Sequence, residues 1–124
     1  MASQLNGGNE IVIVSKAGER LTLKITRSDY KAELSGVMGS AASVEFQLGR
    51  PHTIRYKRDA GLISNTIMLY VDGKQIFRRE IFNPIERIEF PFEIEDIDCE
   101  FLYQGYAVVA DIRVRIGGHE ILSI

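Results

Sequence analysis

The stretch Thr66–Glu80, TIMLYVDGKQIFRRE, restricts what the chain can fold into more than any other. Two runs rich in Ile, Met, Leu, Tyr, Val and Phe flank Asp72-Gly73, a dipeptide that accepts the positive φ of a two-residue hairpin turn. A lone hairpin is marginal in water and needs further strands against its apolar face. The rest of the chain supplies them. Leu21, Leu23 and Ile25 alternate with Thr22, Lys24 and Thr26, and Val44, Phe46 and Leu48 alternate with Ser43, Glu45 and Gln47. Ile54 and Tyr56 alternate with Thr53, Arg55 and Lys57. Ile88, Phe90, Phe92 and Ile94 share one phase, as do Ile97, Cys99, Phe101 and Tyr103, and then Val108, Ala110, Ile112 and Val114. A two-residue period of this kind belongs to strands with one buried face.

Turn signals separate these runs at Lys16–Glu19, Gly49-Arg50-Pro51, Phe82-Asn83-Pro84, Gln104-Gly105 and Gly117-Gly118. Glu10–Ser15 is apolar on both faces and reads as a covered strand, and Glu120–Ile124 as a short closing one. Ser28–Leu34 reads as a strand, although a helical turn capped by Ser28 also fits. Gly36–Ala42 has no period and reads as a loop able to cover a site. Pro91 cannot donate to a ladder and places its strand at a sheet edge or a bulge. Residues 1–8 are polar and expected to be disordered, leaving 9–124 as a single all-β domain. The expectation is an antiparallel β-sandwich of about nine or ten strands, with a closed or partly open antiparallel β-barrel as the alternative. Pro91 favours the sandwich, because a closed barrel has no edge.

At 124 residues the chain can bury a full core without disulfides or a structural metal. The formal charge of −2 gives no general attraction to nucleic acid or to anionic membranes, and neither is expected as a partner. One cysteine, Cys99, cannot form an internal disulfide, and the start MASQLNGGNE lacks the basic and apolar blocks of a secretory signal. A cytoplasmic location is expected.

No catalytic or metal-binding signature is found. His52 and His119 are the two histidines, neither has a second ligand at metal-like spacing, and both are expected as ordinary surface residues at strand ends. Cys99 shares the core phase of Ile97 and Phe101, where a thiol is inert. The run Glu93, Glu95, Asp96, Asp98 and Glu100 has no calcium-loop pattern and reads as a solvated, edge-protecting face. Nucleophile-elbow, phosphate-loop and dinucleotide patterns are absent, so no enzyme activity and no cofactor are expected. The candidate binding residues are basic: Arg55, Lys57, Arg79, Arg113 and Arg115 would form an outward stripe if their strands shared a sheet. Cross-strand pairing of these residues with acids is the competing expectation.

The segments His52–Tyr56, Ile67–Ile76, Phe92-Glu93-Ile94 and Val114–Ile121 together resemble the repeated module of the Fas apoptotic inhibitory molecule family, over about residues 43–124. The resemblance implies an antiparallel β-sandwich with a non-catalytic, protein-interaction role. The functional expectation is therefore a module that binds a protein partner or assembles with itself, with a small-ligand carrier as the alternative.

Overall fold

The computed structural model describes residues 10–33, 39–106 and 109–124, and these contain ten strands and no helix. In chain order they are β1 (Glu10–Val14), β2 (Arg20–Glu33), β3 (Gly39–Leu48), β4 (Arg50–Ala60), β5 (Asn65–Val71), β6 (Lys74–Ile81), β7 (Arg87–Ile94), β8 (Ile97–Tyr106), β9 (Val109–Ile116) and β10 (His119–Ser123). Within each sheet every strand pairs antiparallel with its neighbour in sequence, giving one six-stranded sheet, β1 to β6, and one four-stranded sheet, β7 to β10. The chain leaves the first sheet once, between β6 and β7, and the sheets do not close into a barrel. The expected sandwich is present, and Pro91 lies on β7, an edge strand.

The alternating residues meet between the sheets. Phe101 of β8 is fully buried, with ring centroids 6.1 Å from Tyr56 of β4 and 5.7 Å from Phe77 of β6. Phe77 also lies 4.9 Å from Phe90 of β7, so one aromatic group ties both sheets together. Leu23, Val44, Phe46, Leu48, Ile54, Leu69, Val114 and Ile116 fill the remainder, each no more than 1% exposed. Burying a side chain of this size contributes roughly 1.5–3 kcal/mol.

Two local readings change, and the expected Ser28 strand joins its neighbour. The expected Gly36–Ala42 loop is in part strand: residues 39–42 belong to β3, with Ala42 opposite Tyr56 and Ser40 opposite Arg58, while 36–38 lie outside the described residues. Gly, Ser and Ala carry too little contrast in hydropathy to show a strand period, and the small buried Ala42 sits opposite the large ring of Tyr56. The Ser28 segment continues β2 as one fourteen-residue strand whose register shifts at Thr26. Gln104-Gly105 is no turn, because β8 runs through it to Tyr106. A Cβ on Gly105 would fall 2.2 Å from the Pro84 carbonyl oxygen, so the missing side chain admits the β6–β7 connection, held by the Gly105 N–H donating to Glu86 O at 3.0 Å. The expected tail at 1–8 and the expected inner position of Val108 also lie outside the described residues.

The strands run up and down in strict succession, so alternate connections collect at opposite ends of the sandwich. One end holds the turns Lys16–Glu19, Asp72-Gly73, Glu95-Asp96 and Gly117-Gly118; the other holds the longer links 61–64 and 82–86. The two ends are chemically different, as described below. Gly105→Ala should push the 82–86 link away from β8 and cost roughly 1–3 kcal/mol in urea unfolding, as overpacking against backbone does; a neutral substitution would show that the link does not depend on this close approach.

Candidate functional site

The polar end is built from tight hairpins. At Asp72-Gly73, Glu95-Asp96 and Gly117-Gly118 both central residues have positive φ, from 52° to 83°, which matches the twist of the flanking strands. Asp72 and Glu95 thereby project from two different sheets toward His52, near the start of β4. His52 is not a surface residue. It is 3% exposed, stacked on Phe46 with ring centroids 5.5 Å apart, and in the same phase as the buried Ile54 and Tyr56.

The geometry around His52 links the sheets. Its Nδ1 lies 2.8 Å from Asp72 Oδ2, while the Thr53 N–H donates to Asp72 Oδ1 at 2.8 Å. Its Nε2 stands 3.3 Å from Glu95 Oε1, an electrostatic contact whose alignment falls short of a hydrogen bond. Arg50 Nε donates to the same Glu95 oxygen at 3.0 Å and brings its guanidinium to 3.9 Å from Asp72. Burial opposes the charge on Asp72, but the Thr53 N–H, the imidazole and Arg50 outweigh it and hold the carboxyl below its usual range. An ionised Asp72 can only accept, so Nδ1 carries the hydrogen. Beside this group the Lys16 N–H donates to Asp96 O at 3.0 Å, and the Lys16 ammonium pairs with Glu93 and, at 3.0 Å, with Asp98. Glu93, Glu95 and Asp98 of the acidic run therefore form the four-stranded sheet's half of a polar clasp. Among the described residues no group of three or more His, Cys, Asp or Glu is placed to hold a metal.

The His52 side chain is 1% exposed, and the arrangement brings together two turns from opposite sheets. Cys99 is in the core as expected, 5% exposed, with its thiol pushed up to about 12 by burial. His119 is half-buried at the start of β10.

The five basic candidates do not share one sheet. Arg55 and Lys57 point outward from β4, alternating with buried Ile54 and Tyr56, whereas Arg113 and Arg115 point outward from β9 in the other sheet. Arg79 stands opposite Ile67, hence on the core side of edge strand β6, and pairs with Glu86. Arg115 lies across from Glu100 and Glu120 and is 3.6 and 3.4 Å from their carboxylates; Arg113 is 3.3 Å from Glu120. These are the cross-strand pairs with acids that competed with the stripe. The chain's passage from one sheet to the other after β6 separates the two halves of the stripe, a fact that no strand pattern reveals.

The opposite end carries the feature that pattern reading passed over. Leu62 and Ile63, on the link after β4, are 105% and 81% exposed, and Phe82 and Ile85, on the link after β6, are 66% and 63% exposed. The two links line one depression of about 210 Å³, with Leu62, Ile63, Phe82 and Pro84 on its walls. Tyr106, 54% exposed, follows the Gly105 that touches Pro84. The signal was available as large apolar residues inside aperiodic links, GLIS and FNPI.

Two outcomes test the polar clasp. His52→Phe keeps the stacked ring but removes the donor to Asp72, and should lower unfolding stability by roughly 1–3 kcal/mol; no loss would make the histidine mere filling. Because folding holds the Asp72 carboxyl below its unfolded value of about 4, its contribution is present above that pH and lost as pH falls through the lower folded value. The melting temperature of the wild type should therefore drop more steeply below about pH 4 than that of Asp72→Asn, which starts lower; parallel curves would contradict the assignment. Comparison of the chain with family models, with curated proteins and with solved structures finds no match.

Proposed function

We propose that this chain is a non-catalytic interaction module that binds another protein through its apolar loop end. The observation that carries the reading is the set of four large apolar side chains, Leu62, Ile63, Phe82 and Ile85, held in solvent on two adjoining links. Scattered single apolar residues are ordinary on a surface, but a grouped set marks a place where another surface fits. Burying each against a partner would contribute roughly 1.5–3 kcal/mol before the costs of association. The end is also well supported: the Glu86 N–H donates to Asn83 O at 3.2 Å, and the Ile85 N–H donates to the Asn83 side chain at 3.0 Å. A preorganised link loses less entropy on binding than a loose one.

The filled interior favours this reading over a small-ligand carrier. A carrier needs space between its sheets, where this chain places Tyr56, Phe46 and Phe101 with no more than 1% exposure. The resemblance to the Fas apoptotic inhibitory molecule module points the same way in function, toward interaction without catalysis.

The test is recovery of bound protein from the source cells by tagged wild type and by the double variant Leu62→Ser with Phe82→Ser. Both substituted side chains are exposed, so the variant should melt with the wild type. Loss of two anchors of this size should cut recovery of a specific partner at least about tenfold, equivalent to 1.4 kcal/mol. Equal recovery by both proteins would overturn the reading.

A further inference from the structure

We infer that the β1 edge pairs with the β1 edge of a second copy, joining two six-stranded sheets into one continuous antiparallel sheet. A sheet edge is a row of unpaired backbone donors and acceptors that soluble proteins ordinarily block. Four edge strands exist among the described residues, and three of them are blocked. On β7, Pro91 removes a donor, with Arg87, Glu89 and Glu93 along the same strand. On β6, a register shift beside Ile76 breaks the ladder, and Lys74, Arg78, Arg79 and Glu80 charge the edge. On β10, five residues long, the register shifts between Glu120 and Leu122. Each device is one of the recognised ways of refusing an additional strand.

β1 shares the short length of β10 but has none of the other devices. Its sequence is Glu10-Ile-Val-Ile-Val14, with no proline, no register shift against β2 and no charge after its first residue. Val12 and Val14 are 51% and 60% exposed on its outer face. The edge also adjoins an open depression of about 400 Å³ that Val12, Val14, Asp96 and His119 help to line. An unblocked, β-branched, apolar edge is the form that accepts another strand.

The sequence of β1 selects a second copy as the occupant. In an antiparallel pair centred on Val12, the residues opposite each other are Val12 with Val12, Ile11 with Ile13 and Glu10 with Val14. Every central pair is β-branched against β-branched, the favourable cross-strand combination. The two Glu10 carboxylates fall at opposite corners, and each keeps the Lys24 ammonium of its own chain at 3.7 Å. No like charges meet, the exposed Val12 of each copy covers the other, and Val14 lies against the aliphatic stem of the partner's Glu10. The symmetry is a closed two-fold, so assembly stops at the dimer because the other edge of the joined sheet is β6, which is blocked.

The apolar loop end plays no part in this contact, so either surface can fail without the other. Sedimentation at about 100 µM chain, where micromolar association is nearly complete, should give twice the 14.0 kDa chain mass. Val12→Lys with Val14→Lys should halve that mass while retaining the wild-type circular dichroism melt, because both side chains are exposed in the single chain. As a second route, a Val12→Cys chain should be captured as a dimer by a short bismaleimide, whereas a Leu62→Cys chain should not; the buried Cys99 stays silent in both. A monomeric wild type at that concentration overturns the inference. A dimer that survives the double lysine variant, or one captured through Leu62→Cys instead, also overturns it by placing the contact elsewhere.

Discussion

Phe101 is where the two sheets become one domain. Fully buried on the shorter sheet, it lies between Tyr56 and Phe77 of the longer one, and the alternating side chains of the flanking strands extend that contact in both directions. A strand can supply such a layer only when it keeps its phase, since a slip by one residue turns the whole apolar set toward water. The tight hairpins enforce the phase. Each positive-φ turn fixes the register of the pair it joins, and an error at one turn would pass along the meander.

The same meander explains why the two ends differ. Successive turns fall at opposite ends, so the short, strained, polar connections gather at one and the longer apolar links at the other. At the polar end the turns face each other across the sheets. There His52 takes Asp72 from the first sheet while Glu95 and Lys16 complete the crossing. The buried imidazole is costly to leave unpaired, and here Asp72 accepts from the Thr53 N–H and stands at hydrogen-bond distance from His52 Nδ1, while Glu95 accepts from Arg50. At the apolar end, among the described residues, no comparable polar group crosses Leu62, Ile63 and Phe82. One end closes the fold, and the other holds Leu62, Ile63, Phe82 and Ile85 in solvent.

Much of this architecture is legible in the sequence because its physics is local. Alternation locates the core face of nearly every strand, Asp-Gly and Gly-Gly locate two of the turns, and Pro91 identifies an edge. The failures have equally definite causes. Gly39–Ala42 was hidden because small residues carry no contrast, and Gly105 resembles a turn residue although it is needed for the approach of Pro84. The clasp was partly readable: His52 shares the phase of Ile54 and Tyr56, which assigns it to the interior, but its meeting with Glu95 depends on how the sheets face. The basic stripe was unreadable for the same reason, because a strand's pattern shows which side is wet and never which sheet it joins.

The central claim is that this chain acts by assembling with protein surfaces while its interior stays filled. Native mass spectrometry of the protein taken from its own cells tests that most directly, since it weighs protein partners and retained small molecules together. The account predicts species heavier than the 14.0 kDa chain by whole polypeptides, with no small ligand retained. A lone chain carrying a small molecule would contradict it.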